Sequence, residues 1–125
     1  MYNDQNMRVV IDIAEILLNR IESSEKPDDF LITYGELAQL LPYEINPRNL
    51  DNPLGTLSNI CKDLDLPLIS TIVVNKDTFM PGAGYFIYFF PGIKEPQRVE
   101  IFLEQFNKVV ECSDWASLAE HFWLA

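Results

Sequence analysis

Few residues in this chain have the types and spacing that chemistry requires. His121 is the only histidine. It stands beside Phe122 and Trp123, and no nucleophile or orienting carboxylate can be paired with it, so the residue reads as structural and not as a general base. Asp63 and Asp65 flank Leu64. Paired carboxylates run glycosidic chemistry only when the fold sets their separation and desolvates one of them; at the end of an amphipathic stretch they read as solvated helix-end charges. Cys61 and Cys112 lie far apart, without Cys or His neighbours, which argues against a zinc site and a disulfide scaffold. Buried free thiols are expected. Pro81-Gly82-Ala83-Gly84 is rich in glycine but lacks the lysine and the strand-turn-helix setting of a phosphate loop. The residues therefore assign no catalytic group, no metal and no cofactor, and the chain is expected not to be an enzyme.

Binding chemistry is better represented. The run Tyr85-Phe86-Ile87-Tyr88-Phe89-Phe90 could stack on bases, but stacking platforms sit in basic grooves. Core packing is the expectation, with alternate residues available to a protein interface. Nine Lys and Arg against nineteen Asp and Glu give a net charge of −10, the reverse of what a duplex or an anionic membrane attracts. The acids are spread along the chain. Between Leu31 and Gly92 the only bases are Arg48, Lys62 and Lys76, opposed by Glu36, Glu44, Asp51, Asp63, Asp65 and Asp77, a local balance of −3.

The elements that must position these groups follow from hydrophobic period. At 125 residues with 48% hydrophobic content, one domain can bury one core unaided. Met7, Val10, Ile13, Ala14, Leu17, Leu18 and Ile21 recur at helical spacing and predict an N-terminal helix over residues 4–22. A polar, proline-containing loop follows at 23–29. Thr33-Tyr34-Gly35-Glu36 has the form of a capping box and should open a second helix that stops before Pro42. Leu54, Leu57, Ile60, Cys61 and Leu64 predict a third, so residues 33–64 read as a helix-turn-helix. Ile69 to Val74 is β-branched, and the spacer from Asn75 to Gly84 is dense in turn formers. An antiparallel hairpin of Ile69–Val74 with Tyr85–Phe90 is expected. Val99, Phe102, Leu103, Phe106, Val109 and Val110 mark a further helix, and Ser113 should cap a short terminal one. The predicted fold is thus α+β and mainly helical: a winged helix-turn-helix core over residues 31–92, flanked by the N-terminal helix and C-terminal helices over 96–123. No apolar run approaches the roughly 20 residues that span a bilayer, and the N-terminus has no leader-like pattern. A cytoplasmic location without membrane association is expected.

Ile32-Thr33-Tyr34-Gly35-Glu36-Leu37-Ala38, Pro47-Arg48, and Leu66-Pro67 followed by Val73-Val74-Asn75 and Pro81-Gly82 resemble the winged-helix domain of the alkyltransferase family, meaning the DNA alkyl-repair methyltransferases and their alkyltransferase-like relatives. The resemblance covers under half of the chain, from Ile32 to Tyr85. Where the repair enzymes carry Pro-Cys-His-Arg, this chain has Pro67-Leu68-Ile69-Ser70, so the alkyl-accepting thiol and its activating histidine are missing. The resemblance implies DNA binding without alkyl transfer, with Arg48 near the family's base-extruding arginine.

Two functions from different classes follow. The first is a non-catalytic acidic interaction module that binds a protein with a basic nucleic-acid-binding surface and inhibits or regulates it, as small DNA-mimic inhibitors from phages and mobile elements do, anti-CRISPR proteins among them. Asp63, Asp65, Glu100 and Glu104 are the candidate contacts. The alternative is a DNA-binding winged helix resembling the alkyltransferase-like proteins, with Arg48, Lys62 and Lys76 as the candidate nucleic-acid contacts.

Overall fold

The computed structural model describes the backbone of residues 4–124 and the side chains of residues 7–123. Helix α1 (Asp4–Ser23) buries Val10, Ile13, Ala14 and Leu17 completely, one stripe at i, i+3, i+4 and i+7. Arg20, in its last turn, donates from Nε to the Phe30 carbonyl (3.1 Å) and from a terminal nitrogen to the Leu31 carbonyl (2.6 Å). These bonds tie a 3-10 turn, Pro27–Phe30, to the end of α1 and deliver the chain to strand β1 (Ile32–Thr33).

Helix α2 (Tyr34–Leu40) opens on the expected capping box. Thr33 Oγ1 accepts from the Glu36 N–H at 3.1 Å, and Glu36 Oε1 accepts from the Thr33 N–H at 3.0 Å. It ends at Leu41, which precedes Pro42 and is extended, as sterics before proline favour. The Asn46 side chain then accepts from the Arg48 N–H (3.0 Å) and starts a 3-10 turn, Pro47–Leu50, that runs directly into α3 (Asp51–Asp63). α3 buries Leu54, Leu57, Ser58 and Cys61 and lies against α1. Its end is a Schellman motif: Asp65 takes φ 58°, its N–H bonds the Lys62 carbonyl (3.0 Å), and the Leu66 N–H bonds that of Cys61 (2.8 Å).

After a 3-10 turn (Ile69–Ile72), strand β2 (Val73–Val74) pairs in parallel with β1, Ile32 opposite Val73 and Thr33 opposite Val74. A tight loop closes on itself through Asn75, whose N–H bonds the Met80 carbonyl (2.9 Å) and whose carbonyl accepts from the Phe79 N–H (2.7 Å). Helix α4 (Ala83–Phe89), a 3-10 turn at Glu95–Gln97, α5 (Arg98–Glu111), α6 (Ala116–Ala119) and a π-helical turn at Glu120–Leu124 complete the chain. The described residues are mainly helical, six helices with a two-stranded parallel sheet. None of the described helices is long and apolar enough to cross a membrane.

Two expectations are corrected. Residues 85–90 form no strand and, of the expected strand Ile69–Val74, only Val73–Val74 is one, Ile69–Ile72 being a 3-10 turn, so there is no antiparallel hairpin wing: Tyr85–Phe89 is helical and β2 finds a parallel partner some forty residues upstream. The reason lies in which aromatics are buried. Tyr85 and Phe86 are buried and Phe89 and Phe90 half-buried, whereas Ile87 and Tyr88 are exposed. That i, i+1, i+4, i+5 pattern is the face of a helix; a strand would have grouped 85, 87 and 89. Ser113 caps nothing either. The terminal helix starts later, after Trp115, and it is Ser117 that bonds an acid, donating to Asp114 Oδ2 at 2.8 Å.

Candidate functional site

The start of α2, the N-terminal half of α3, the turn before β2 and the outer side of α4 enclose a cavity of about 400 Å³. Tyr34 reaches it because the capping box places it as the first residue of α2. Its phenol oxygen accepts from the Gly82 N–H at 2.9 Å, so the start of α2 fixes the entry to α4. Glycine suits this close approach, since a Cβ would stand 3.3 Å from that oxygen and the Tyr34 ring would have to give by a few tenths of an ångström. Burial raises the Tyr34 pKa, the Gly82 bond opposes this, and the Asp51 charge adds to it. The phenol is therefore neutral and keeps its proton to donate.

Hydroxyls line the floor. Ser58 donates to the Leu54 carbonyl (2.9 Å), one turn back in α3, and its hydroxyl meets that of Ser70 across the cavity base. Next to Ser70, Thr71 Oγ1 pairs with the Tyr85 hydroxyl at 2.7 Å. Burial raises the Tyr85 pKa far above its ordinary value, against the Thr71 bond, so this phenol is neutral as well. The Ser70 hydroxyl is thus engaged by another hydroxyl and not by a base that would activate it. Among the described residues no cluster of His, Cys, Asp and Glu could hold a metal ion.

The walls are aromatic and amide. Tyr88 stands 78% exposed at the mouth, one turn after Gly84, and Phe89 lies beside it with ring centroids 6.0 Å apart. Asn52 and Asn59 enter from α3, and Asp51 is the one charged residue in the lining. The arrangement offers flat apolar faces together with neutral donors and acceptors. It suits a planar, polar-edged ligand.

The sequence-derived candidates fall around this cavity or away from it. Arg48 is exposed in the turn that opens α3, and Lys62 is in the last turn of the same helix, its Nζ 5.9 Å above the Phe89 ring. Lys76 is exposed in the loop after β2. Asp63 and Asp65 are exposed at the C-terminal end of α3, Glu100 and Glu104 are exposed on α5, and Lys108 Nζ is 4.0 Å from Glu104. The two acidic pairs thus sit on different elements. His121 is exposed in the terminal turn, its ring edge-on to Phe122. Cys61 is buried, which pushes its thiol pKa up to about 11, and both cysteines are free.

Tyr34, Ser58, Asn59 and Ser70 were not singled out as site residues by sequence reasoning, and Tyr85 and Tyr88 entered it only within the run that could stack on bases, for which core packing was the expectation. The one available signal was spacing: Gly84 and Tyr88 are four apart, as Tyr85 and Phe89 are, and together they describe two adjacent helical rows. Comparison with protein-family models, with curated proteins and with solved structures finds no match to this chain.

Proposed function

We propose that this chain is a non-catalytic recognition module for nucleic acid, with the cavity beside α3 receiving one unstacked base. The observation that carries the reading is the lining: aromatic faces from Tyr34, Tyr88 and Phe89 with neutral hydrogen-bonding groups from the exposed Asn52 and Asn59. Bases out of the stack are held in this way, by aromatic stacking and by hydrogen bonds to their edges. Charge supports it. Residues 48–62 hold Arg48, Lys62 and Asp51, a balance of +1, which leaves −11 for the rest of the chain. That stretch therefore repels phosphate less than the chain as a whole does. The remainder disfavours a long duplex, so a single strand is the favoured form.

In this reading α2 and α3 act as a helix-turn-helix without a wing. The resemblance to the alkyltransferase-like proteins supports the same surface, since Arg48 precedes α3 and the stretch from Pro67 ends at Ser70 on the cavity floor. Fluorescence anisotropy with a short labelled single strand at low salt tests it. Stacking contributes about 1–3 kcal/mol per base, so Tyr88→Ala should weaken binding roughly 5- to 150-fold. Because Tyr88 is exposed, its loss should change stability by no more than about 0.5 kcal/mol. Arg48→Ala should weaken the complex more than Lys108→Ala. Absence of binding at low salt, or a Tyr88→Ala complex as tight as the parent, would end the proposal.

One observation favours a second reading, the acidic protein-binding module. α5 exposes Val99 (50%) and Leu103 (54%) one turn apart, beside Glu100 and Glu104. Apolar contact within an acidic rim suits a partner with a basic surface. Stopped-flow association with a captured partner should then slow as salt rises and as Glu100 and Glu104 are changed to Gln. Rates indifferent to both would remove it.

A further inference from the structure

A second cavity, of about 380 Å³, shares the Phe89 wall with the first and lies between the C-terminal ends of α3 and α4 and the middle of α5. Two of the nine basic residues of this strongly acidic chain, Lys62 and Lys108, line it. Gln105, which is only 9% exposed, lines it as well. No side-chain hydrogen bond among the described residues engages its amide. Although the residue is nine-tenths covered, its amide is not one of the sealed, unpaired groups of the described residues, so it keeps access to open space, and the cavity is the space it lines.

We propose that this cavity binds a small aryl or alkyl carboxylate, its head held by Lys62, Lys108 and the Gln105 amide and its apolar body by Leu66, Leu68, Phe89 and Phe90. The charge balance selects the class. Asp65 also lines the cavity and offsets one of the two lysines, so the lining carries +1 before Glu104, the partner of Lys108, is counted, and a monoanion matches it better than a phosphate dianion. Glu104 faces Lys108 at 4.0 Å from an exposed position, a weak pair that a desolvated ligand carboxylate can outcompete. Lys62 Nζ is already poised 5.9 Å over the Phe89 ring, at the junction of the charged and apolar walls. The amide supplies a fixed donor, and the ammonium groups supply charge-assisted ones. The volume lies within the ordinary range of ligand sites, about 300–1,000 Å³. The site shares Lys62 and Phe89 with the nucleic-acid face, and Gln105 and Lys108, which belong to α5 and take no part in that face, distinguish the two.

Titration of the full chain with phenylacetate, followed by amide chemical shifts, tests the site. Saturable shifts should appear at Lys62, Leu66, Leu68, Phe89, Phe90, Gln105 and Lys108, with a millimolar or tighter dissociation constant. Phenylacetamide, which has the shape without the charge, and inorganic phosphate, which has charge without the apolar body, should each bind at least about tenfold more weakly. Lys108→Met and Gln105→Leu should each weaken phenylacetate about tenfold or more, while amides of α1 and α2 keep their positions and so report an intact fold. The exposed Lys108 site makes that variant safe for folding even if Gln105→Leu is not. Absence of saturable shifts up to tens of millimolar, equal affinity for phenylacetamide or phosphate, or a Lys108→Met chain that binds as the parent does would overturn the assignment.

Discussion

Replacing Thr33 by Ala removes the hydroxyl that accepts from the Glu36 N–H at 3.1 Å but leaves the return bond, Thr33 N–H to Glu36 Oε1 at 3.0 Å, available to the new backbone. Half of the capping box is therefore lost. Loss of such an N-cap costs about 1 kcal/mol. With an unfolding entropy near 2.1 cal/mol/K per residue, a chain of 125 residues has about 0.26 kcal/mol/K, so 1 kcal/mol lowers Tm by about 4 °C. Thr33→Ser keeps the acceptor and should recover most of that. The other half of the box carries a pH signature. The Glu36 pKa is held below its ordinary value, first by the Thr33 backbone bond, then by the Thr33 side chain, against a small effect of burial and with a minor contribution from Arg20. A depressed folded pKa contributes stability that is present above the unfolded value, about 4.3, and is lost as pH falls through the lower folded one. The stability difference between the parent and Glu36→Gln should thus shrink below about pH 4.3, and solvent screening at this exposed carboxylate keeps it smaller than the cap effect. Differential scanning calorimetry from neutral to acid pH reads both. A Thr33→Ala chain that melts with the parent, or a Thr33→Ser chain that melts with Thr33→Ala, would refute the reasoning.

Three further outcomes are expected. Ile13→Ala, in the fully buried stripe of α1, should destabilise by about 2–5 kcal/mol in denaturant titration, with the spread set by how far α3 can close on the space. Gly92 has φ +90° with open space around its Cβ position, so Gly92→Ala should cost about 1–2 kcal/mol from backbone strain alone, visible as a lower urea midpoint with an unchanged slope. Burial raises the Cys61 pKa to about 11, so in the native state a thiol reagent at neutral pH should label the half-buried Cys112 and leave Cys61 untouched until the chain unfolds. Equal labelling of both by mass spectrometry would contradict the packing of α3.

Long periodic segments and local caps were legible in the residues themselves. The stripe from Val10 to Leu17 has one way to hide from water, and Thr33 and Glu36 satisfy one another across a single turn, so α1, α3, α5 and the start of α2 follow from nearest-neighbour chemistry. The run Tyr85–Phe90 was not legible. Six apolar residues fit a strand or one and a half turns of helix equally well, and aromatic propensity tips the balance towards strand. What tipped it back is long-range contact: β2 pairs with Ile32 and Thr33 forty residues away, the Tyr85 hydroxyl is claimed by Thr71, and Tyr34 holds Gly82 at the entry to α4. The cavity depends on the same long-range choice. Tyr34, Ser58, Ser70 and Tyr88 come from four separate elements and share no spacing, and they converge only because α4 is a helix laid across the start of α3. Sequence determined which segments must be helical and how acidic the surface is; tertiary structure alone decided where the aromatic run turns and which neutral side chains it gathers, because pairing across forty residues is a property of the whole packed chain and of no window within it.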